Sequence, residues 1–103
     1  MRWLESQHPD IAVVTFASAG GMRTSIATAV EMNHMGYKKG TPDVMILFPT
    51  QRYHGLIIEI KTEQGRASPE QVAILQRLQE KGYLAVVAKG WEMLVKTVKS
   101  YIG

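Results

Sequence analysis

The stretch from Gly55 to Ala88 constrains the fold most strongly. Gly55-Leu56-Ile57-Ile58-Glu59-Ile60-Lys61 is an apolar, β-branched run of strand length. Ser68-Pro69-Glu70-Gln71 then reads as a helix start, with Ser68 as N-cap, Pro69 at the first helical position and Gln71 closing a capping box. Val72, Leu75 and Leu78 line one face, Gly82 stops the helix, and Tyr83 to Ala88 is a second strand. Two strands joined by a crossover helix should lie parallel in one sheet.

The rest of the chain supplies elements of the same kind. Residues 1–8 suit a short helix with Trp3 and Leu4 inward, ended by Pro9-Asp10, and Ile11 to Ala17 reads as a strand. After Gly20-Gly21 a helix runs from Thr24 or Ser25 to about Met35, with Ile26, Ala29, Val30 and Asn33 on one face. Val44 to Phe48 is a further strand that should form an antiparallel hairpin with 55–61. Trp91, Leu94, Val95, Val98 and Ile102 repeat at helical spacing after Gly90, which predicts a closing helix with Trp91 and Met93 to Val95 in the core or in helix contact. The order is α, β, α, β, β, α, β, α. Its expected architecture is α/β, a small mixed sheet with helices on both sides. The continuous apolar runs at 44–48 and 84–88 predict central strands covered on both faces.

A chain of 103 residues suits one domain, 1–103. It has no cysteine, which excludes disulfides, thiolate zinc sites and thiol nucleophiles. No apolar run approaches the ~20 residues that span a bilayer, and the N-terminus has no signal-peptide layout, so a cytoplasmic protein is expected. A formal charge of +3 and a pI near 9.3 are compatible with a polyanionic partner.

Chemistry concentrates at Asp43, Glu59 and Lys61. Alternation along a strand puts Glu59 and Lys61 on one face, roughly 7 Å apart at Cα, with Ile58 and Ile60 on the other. A carboxylate within an otherwise apolar strand needs a partner, which Lys61 or a metal ion would supply. In an antiparallel hairpin Asp43 starts one strand where the other finishes, so two carboxylates and a lysine meet at one end of the sheet. Mg²⁺ is commonly held by one or two carboxylates plus a phosphate. Lys61 would orient or deprotonate a water, or stabilise charge developing on a phosphorane. Glu-x-Lys on a strand is also a common exposed salt bridge, and Pro-Asp a common turn.

Gly40-Thr41-Pro42-Asp43, Gly55 to Glu63, Gly65-Arg66 and Ser68-Pro69-Glu70-Gln71 together closely resemble the virus-type replication-repair nuclease (VRR-NUC) domain of the PD-(D/E)xK nuclease superfamily. The likeness extends from about Ala19 to the last helix and includes Gly82-Tyr83 and Gly90-Trp91. It implies a restriction-endonuclease-like α/β fold and Mg²⁺- or Mn²⁺-dependent phosphodiester hydrolysis. Asp43, Glu59 and the Ile60 carbonyl would be metal ligands and Lys61 the catalytic lysine. Stand-alone phage-type members are homodimers acting on branched DNA such as four-way junctions, which implies a phage- or bacterium-encoded protein of DNA repair. Gln71 matches a polar position near the active site of that family, and the capping box explains it equally well. Members usually carry an acidic residue upstream of a Trp-Leu-like pair; here the chain begins two residues before Trp3-Leu4, and Glu5 falls after it. The alternative is a DNA-binding module with a decayed metal site.

Lys38, Lys39 and Arg66 flank the catalytic strands and are expected to hold DNA phosphates; Arg23 and Arg52 carry no preference. His8, His34 and His54 share no metal-ligand spacing, and His54 should be exposed in the hairpin turn. Tyr37 and Tyr53 are read as packing residues rather than base-stacking ones.

Overall fold

In the computed structural model, residues 2–18, 34 and 38–103 are described. Of the expected helix from Thr24 or Ser25 to Met35 only His34 is among them, and it is helical; Arg23 and Tyr37 lie outside. Among the described residues eight elements follow in order: α1 (Arg2–Gln7), α2 (Pro9–Ala12), β1 (Thr15–Ala17), β2 (Val44–Ile46), β3 (Leu56–Lys61), α3 (Pro69–Glu80), β4 (Leu84–Lys89) and α4 (Trp91–Ile102). The strands form one mixed sheet in the order β1-β2-β3-β4. β1 pairs antiparallel with β2, β2 antiparallel with β3, and β3 parallel with β4. Hairpin and crossover therefore form as the sequence predicts.

Two apolar layers cover the sheet. On one face Leu4, Ile11, Val44, Ile46, Leu56 and Ile58 pack with Leu94, Val98 and Tyr101 of α4. On the other, Ile57 and Ala85 pack with Leu75, and Met45, Leu78 and Val87 lean against them. β3 is the most enclosed strand: Leu56, Ile57 and Ile58 are all buried.

Three sequence expectations are corrected. Pro9 does not end helical structure but begins α2, because at the first helical position its missing N–H costs nothing. Ile11 and Ala12 are consequently helical, and the strand expected over 11–17 shrinks to Thr15–Ala17. β2 stops at Ile46; Leu47 is exposed, and the Phe48 carbonyl accepts from Tyr101 Oη at 2.7 Å instead of extending the ladder. β4 is an edge strand among the described residues, not a central one. Its apolar run records cover from α3 on one face and α4 on the other, which is independent of its lateral position in the sheet.

The start of α3 is as expected. Ser68 Oγ accepts from Gln71 N at 3.2 Å, and Gln71 Oε1 accepts from Ser68 N at 2.7 Å. Ser68→Ala should cost about 1 kcal/mol, read from the midpoint of urea unfolding. Among the described residues no helix is long and apolar enough to cross a membrane.

Candidate active site

Asp43, Glu59 and Lys61 converge on the α3 side of the sheet. The β2–β3 register pairs Val44 with Ile58 and Met45 with Ile57, so continuing it sets Asp43 opposite Glu59 and Pro42 opposite Ile60. Met45 and Ile57 belong to the layer under α3, and alternation puts Asp43, Glu59 and Lys61 on that same face. The Gly40 turn is held against the first turn of α3. Its φ is +88°, and a Cβ there would lie 3.0 Å from the Glu70 carbonyl carbon, so glycine is required both for conformation and for space. This docking fixes the approach of Asp43 to the sheet.

Asp43 Oδ2 accepts from Ile60 N at 2.7 Å. The geometry has a further effect on Ile60. Gly90 N donates to Lys61 O at 3.0 Å, so the main-chain groups of Lys61 face β4 and those of Ile60 face β2. The residue opposite is Pro42, which has no N–H. The Ile60 carbonyl therefore has no ladder donor on β2 and remains available at the carboxylate end of the sheet.

Glu59 is 2% exposed, the buried charged residue of this core. Lys61 Nζ lies 4.0 Å from its Oε1, at the limit of an ion pair, and its Oε2 is buried with no hydrogen-bond partner among the described residues. Burial first, then hydrogen bonding with Asp43 and repulsion from its charge, push the Glu59 carboxyl from 4.5 up to about 7; attraction to Lys61 opposes the rise without cancelling it. An unpartnered buried carboxylate oxygen is costly, and a cation binding there would relieve that cost. Among the described residues no three His, Cys, Asp or Glu side chains gather as a metal cluster. The available donors are two carboxylates and a main-chain carbonyl. That all-oxygen set fits a hard ion such as Mg²⁺ or Mn²⁺, which completes its shell with water and phosphate oxygens.

The other expected residues divide. Gln71 closes the capping box with its side-chain oxygen, leaving its amide nitrogen outside that box. Lys39 Nζ lies 3.6 Å from Glu70 Oε1 while largely exposed. Lys38 and Arg66 are exposed and make no ion pair among the described residues. Glu5 is exposed on α1, which packs on the opposite face of the sheet from Glu59. His54 is exposed, as expected, with its ring edge-on to Tyr83.

The expectation that Trp91 and Met93 are core residues is corrected: they are 59% and 46% exposed. Helical spacing identifies the apolar stripe, but Leu94, Val98 and Tyr101 fill the side against the sheet. Two features near the site go beyond the sequence reading, which took Pro42 only as part of its Pro-Asp motif and did not single out Lys89. Pro42 matters through the donor it lacks. Lys89 stands beside Lys61 in the parallel register, a neighbour that the two strand lengths and their parallel pairing would have revealed.

The VRR-NUC domain family model matches residues 2–92. The chain belongs to the VRR-NUC domain family. A solved structure described as a VRR_NUC domain protein superposes with a TM-score of 0.83 at 31% identity, over 98% of this chain and 80% of that one. Among curated proteins nothing matches. Membership of the VRR-NUC family makes this a nuclease-type domain, and its sheet with flanking helices is that of its structural relative.

Proposed function

We propose that this VRR-NUC domain is a Mg²⁺- or Mn²⁺-dependent endodeoxyribonuclease that hydrolyses phosphodiester bonds in branched DNA, including four-way junctions, and that it works as a homodimer. The observation that carries the reading is Glu59, a buried carboxylate with one oxygen unpartnered among the described residues, set opposite Asp43 and beside Lys61. Asp43, Glu59 and the Ile60 carbonyl would hold the ion. When bound, it supplies positive charge to polarise the phosphoryl oxygen and lower the pKa of a water. The Lys61 ammonium, partly exposed at the edge of the site, orients the attacking water and donates hydrogen bonds to the oxygen on which charge develops. The water oxygen forms the new bond to phosphorus, the bridging P–O bond breaks, and a proton passes to the leaving oxygen. Exposed Lys38 and Arg66 hold flanking phosphates without reading sequence. One catalytic set per chain implies a two-fold pair of chains for symmetric cutting of two strands.

The test is cleavage of an end-labelled four-way junction with Mg²⁺ or Mn²⁺. Product should form with either metal, stop with excess EDTA, and fall by at least about 100-fold in Lys61→Ala, the lower end of single-group general acid–base effects. Metal-independent junction binding with no product from the parent protein would instead identify a DNA-binding module.

A further inference from the structure

Along the outer edge of the sheet, β4 and α4 enclose two adjoining hollows of ≈ 830 Å³ and ≈ 490 Å³ that share Met93 and Lys96. The smaller reaches Leu84 at the start of β4 and Arg52; the larger reaches Lys89 at its end and Trp91. Together they form a groove that follows α4 and touches β4 at that strand's two ends, Leu84 and Lys89. Trp91, Met93 and Val95 are among its lining residues, and Trp91 is 59% exposed. Arg52, Lys89 and Lys96 give it cationic character that Glu63 and Glu92 offset only in part.

Position connects this groove to the candidate active site. Lys89 is the parallel partner of Lys61, on a neighbouring strand about 4.8 Å away. Ala85 and Val87 belong to the layer under α3, so alternation puts Lys89 on the face that carries Lys61 and Glu59. Lys89 thus links the two regions: it stands beside Lys61 at the end of β4, while most of the rest of the lining comes from α4, which packs on the other face of the sheet.

We propose that this β4–α4 groove binds single-stranded DNA continuous with the strand being cut, with a base stacked on Trp91 and phosphates on Lys89 and Lys96. The proposal rests on the nuclease reading for its substrate and goes beyond it in assigning the unpaired arm a path. Charge complementarity selects a polyanion. The exposed indole selects an unpaired strand, because a base already stacked within a duplex has no free face to offer it.

Fluorescence anisotropy of labelled decathymidylate, measured in EDTA so that no cleavage intervenes, tests the assignment. Trp91→Ala should weaken binding about tenfold, a stacking loss of about 1.4 kcal/mol, and Trp91→Phe should restore it to within about threefold. Lys96→Gln should lower the slope of log affinity against log salt by about 0.7, one single-strand phosphate contact. Quenching of indole fluorescence by the oligonucleotide should diminish in Trp91→Phe. Trp91 is exposed, so its variants should fold, which matched thermal melts check. Binding and salt slope equal to the parent in both Trp91→Ala and Lys96→Gln would overturn the proposal. So would a Trp91→Ala variant that sediments as a monomer from a parental dimer while binding the oligonucleotide normally, since a second copy would then cover the groove. Junction cleavage run in parallel separates the two readings. Intact cleavage with unaltered single-strand binding refutes the groove alone, whereas the stated binding losses without metal-dependent cleavage support the groove and refute the nuclease reading.

Discussion

Asp43→Asn should reduce Mn²⁺-dependent junction cleavage by at least about 10³-fold while leaving the fold intact. The substitution keeps an oxygen to accept from Ile60 N, the 2.7 Å contact that ties β2 to β3 at this end. The local backbone arrangement thus has its hydrogen-bond partner with or without the charge. The carboxylate is lost, and with it one of two negatively charged donors for a divalent ion. A metal contributes several kcal/mol of transition-state stabilisation, and each 1.36 kcal/mol is tenfold in rate, so a loss of about 4 kcal/mol gives the stated fall. Removing the Asp43 charge also removes a repulsion on Glu59, so the metal-free variant should melt no lower than the parent. Single-turnover cleavage and a thermal melt on the same preparation check both halves. Near-parental cleavage by a folded variant would show that Asp43 is not part of the catalytic machinery.

The residues behind that expectation were legible to different degrees. Asp43, Glu59 and Lys61 were visible because charged groups stand at the ends of strands whose other residues require burial. The capping box at Ser68 and Gln71 was visible because it is a local interaction with a fixed spacing. The α2 turn was hidden because β-branched Ile11 and its valine neighbours favour a strand, whereas Pro9 at a helix start overrides that weak preference. The edge position of β4 was hidden because hydrophobic pattern reports coverage of faces, not lateral neighbours. Trp91 was misplaced for a related reason: helical periodicity marks a stripe, but which members of it reach the sheet depends on how α4 lies across β3 and β4. The Ile60 carbonyl shows what register adds. The family resemblance implied it as a ligand, while its missing ladder partner follows only once Pro42 is placed opposite.

The acid–base behaviour of Glu59 should appear as an inverted pH dependence of stability. Its carboxyl rises from 4.5 to about 7 in the folded chain, chiefly through burial. Between those values the folded protein holds a proton that the unfolded chain has released. The favourable contribution is fully present below pH 4.5 and is lost as pH rises through about 7. At 1.36 kcal/mol per pH unit of displacement the loss is about 3 kcal/mol. Glu59→Gln isolates it, because the amide mimics the protonated acid at every pH. Parent and variant should therefore have similar stability near pH 4, and the variant should be more stable by about 3 kcal/mol at pH 8, an increase in Tm of roughly 12–24 °C for a domain of this size. Divalent metal should narrow the gap. At pH 8, Mn²⁺ at 100 times its Kd would stabilise the parent by about 2.7 kcal/mol, and the effect should fade towards pH 5 as protons compete for the carboxylate. The variant lacks the charged donor and should respond far less. Calorimetric scans of both proteins across pH, with and without Mn²⁺, measure all four arms. A parent as stable as Glu59→Gln at pH 8 without metal would mean that Glu59 carries its charge at no cost to the fold, which would remove the physical reason for placing a cation beside it.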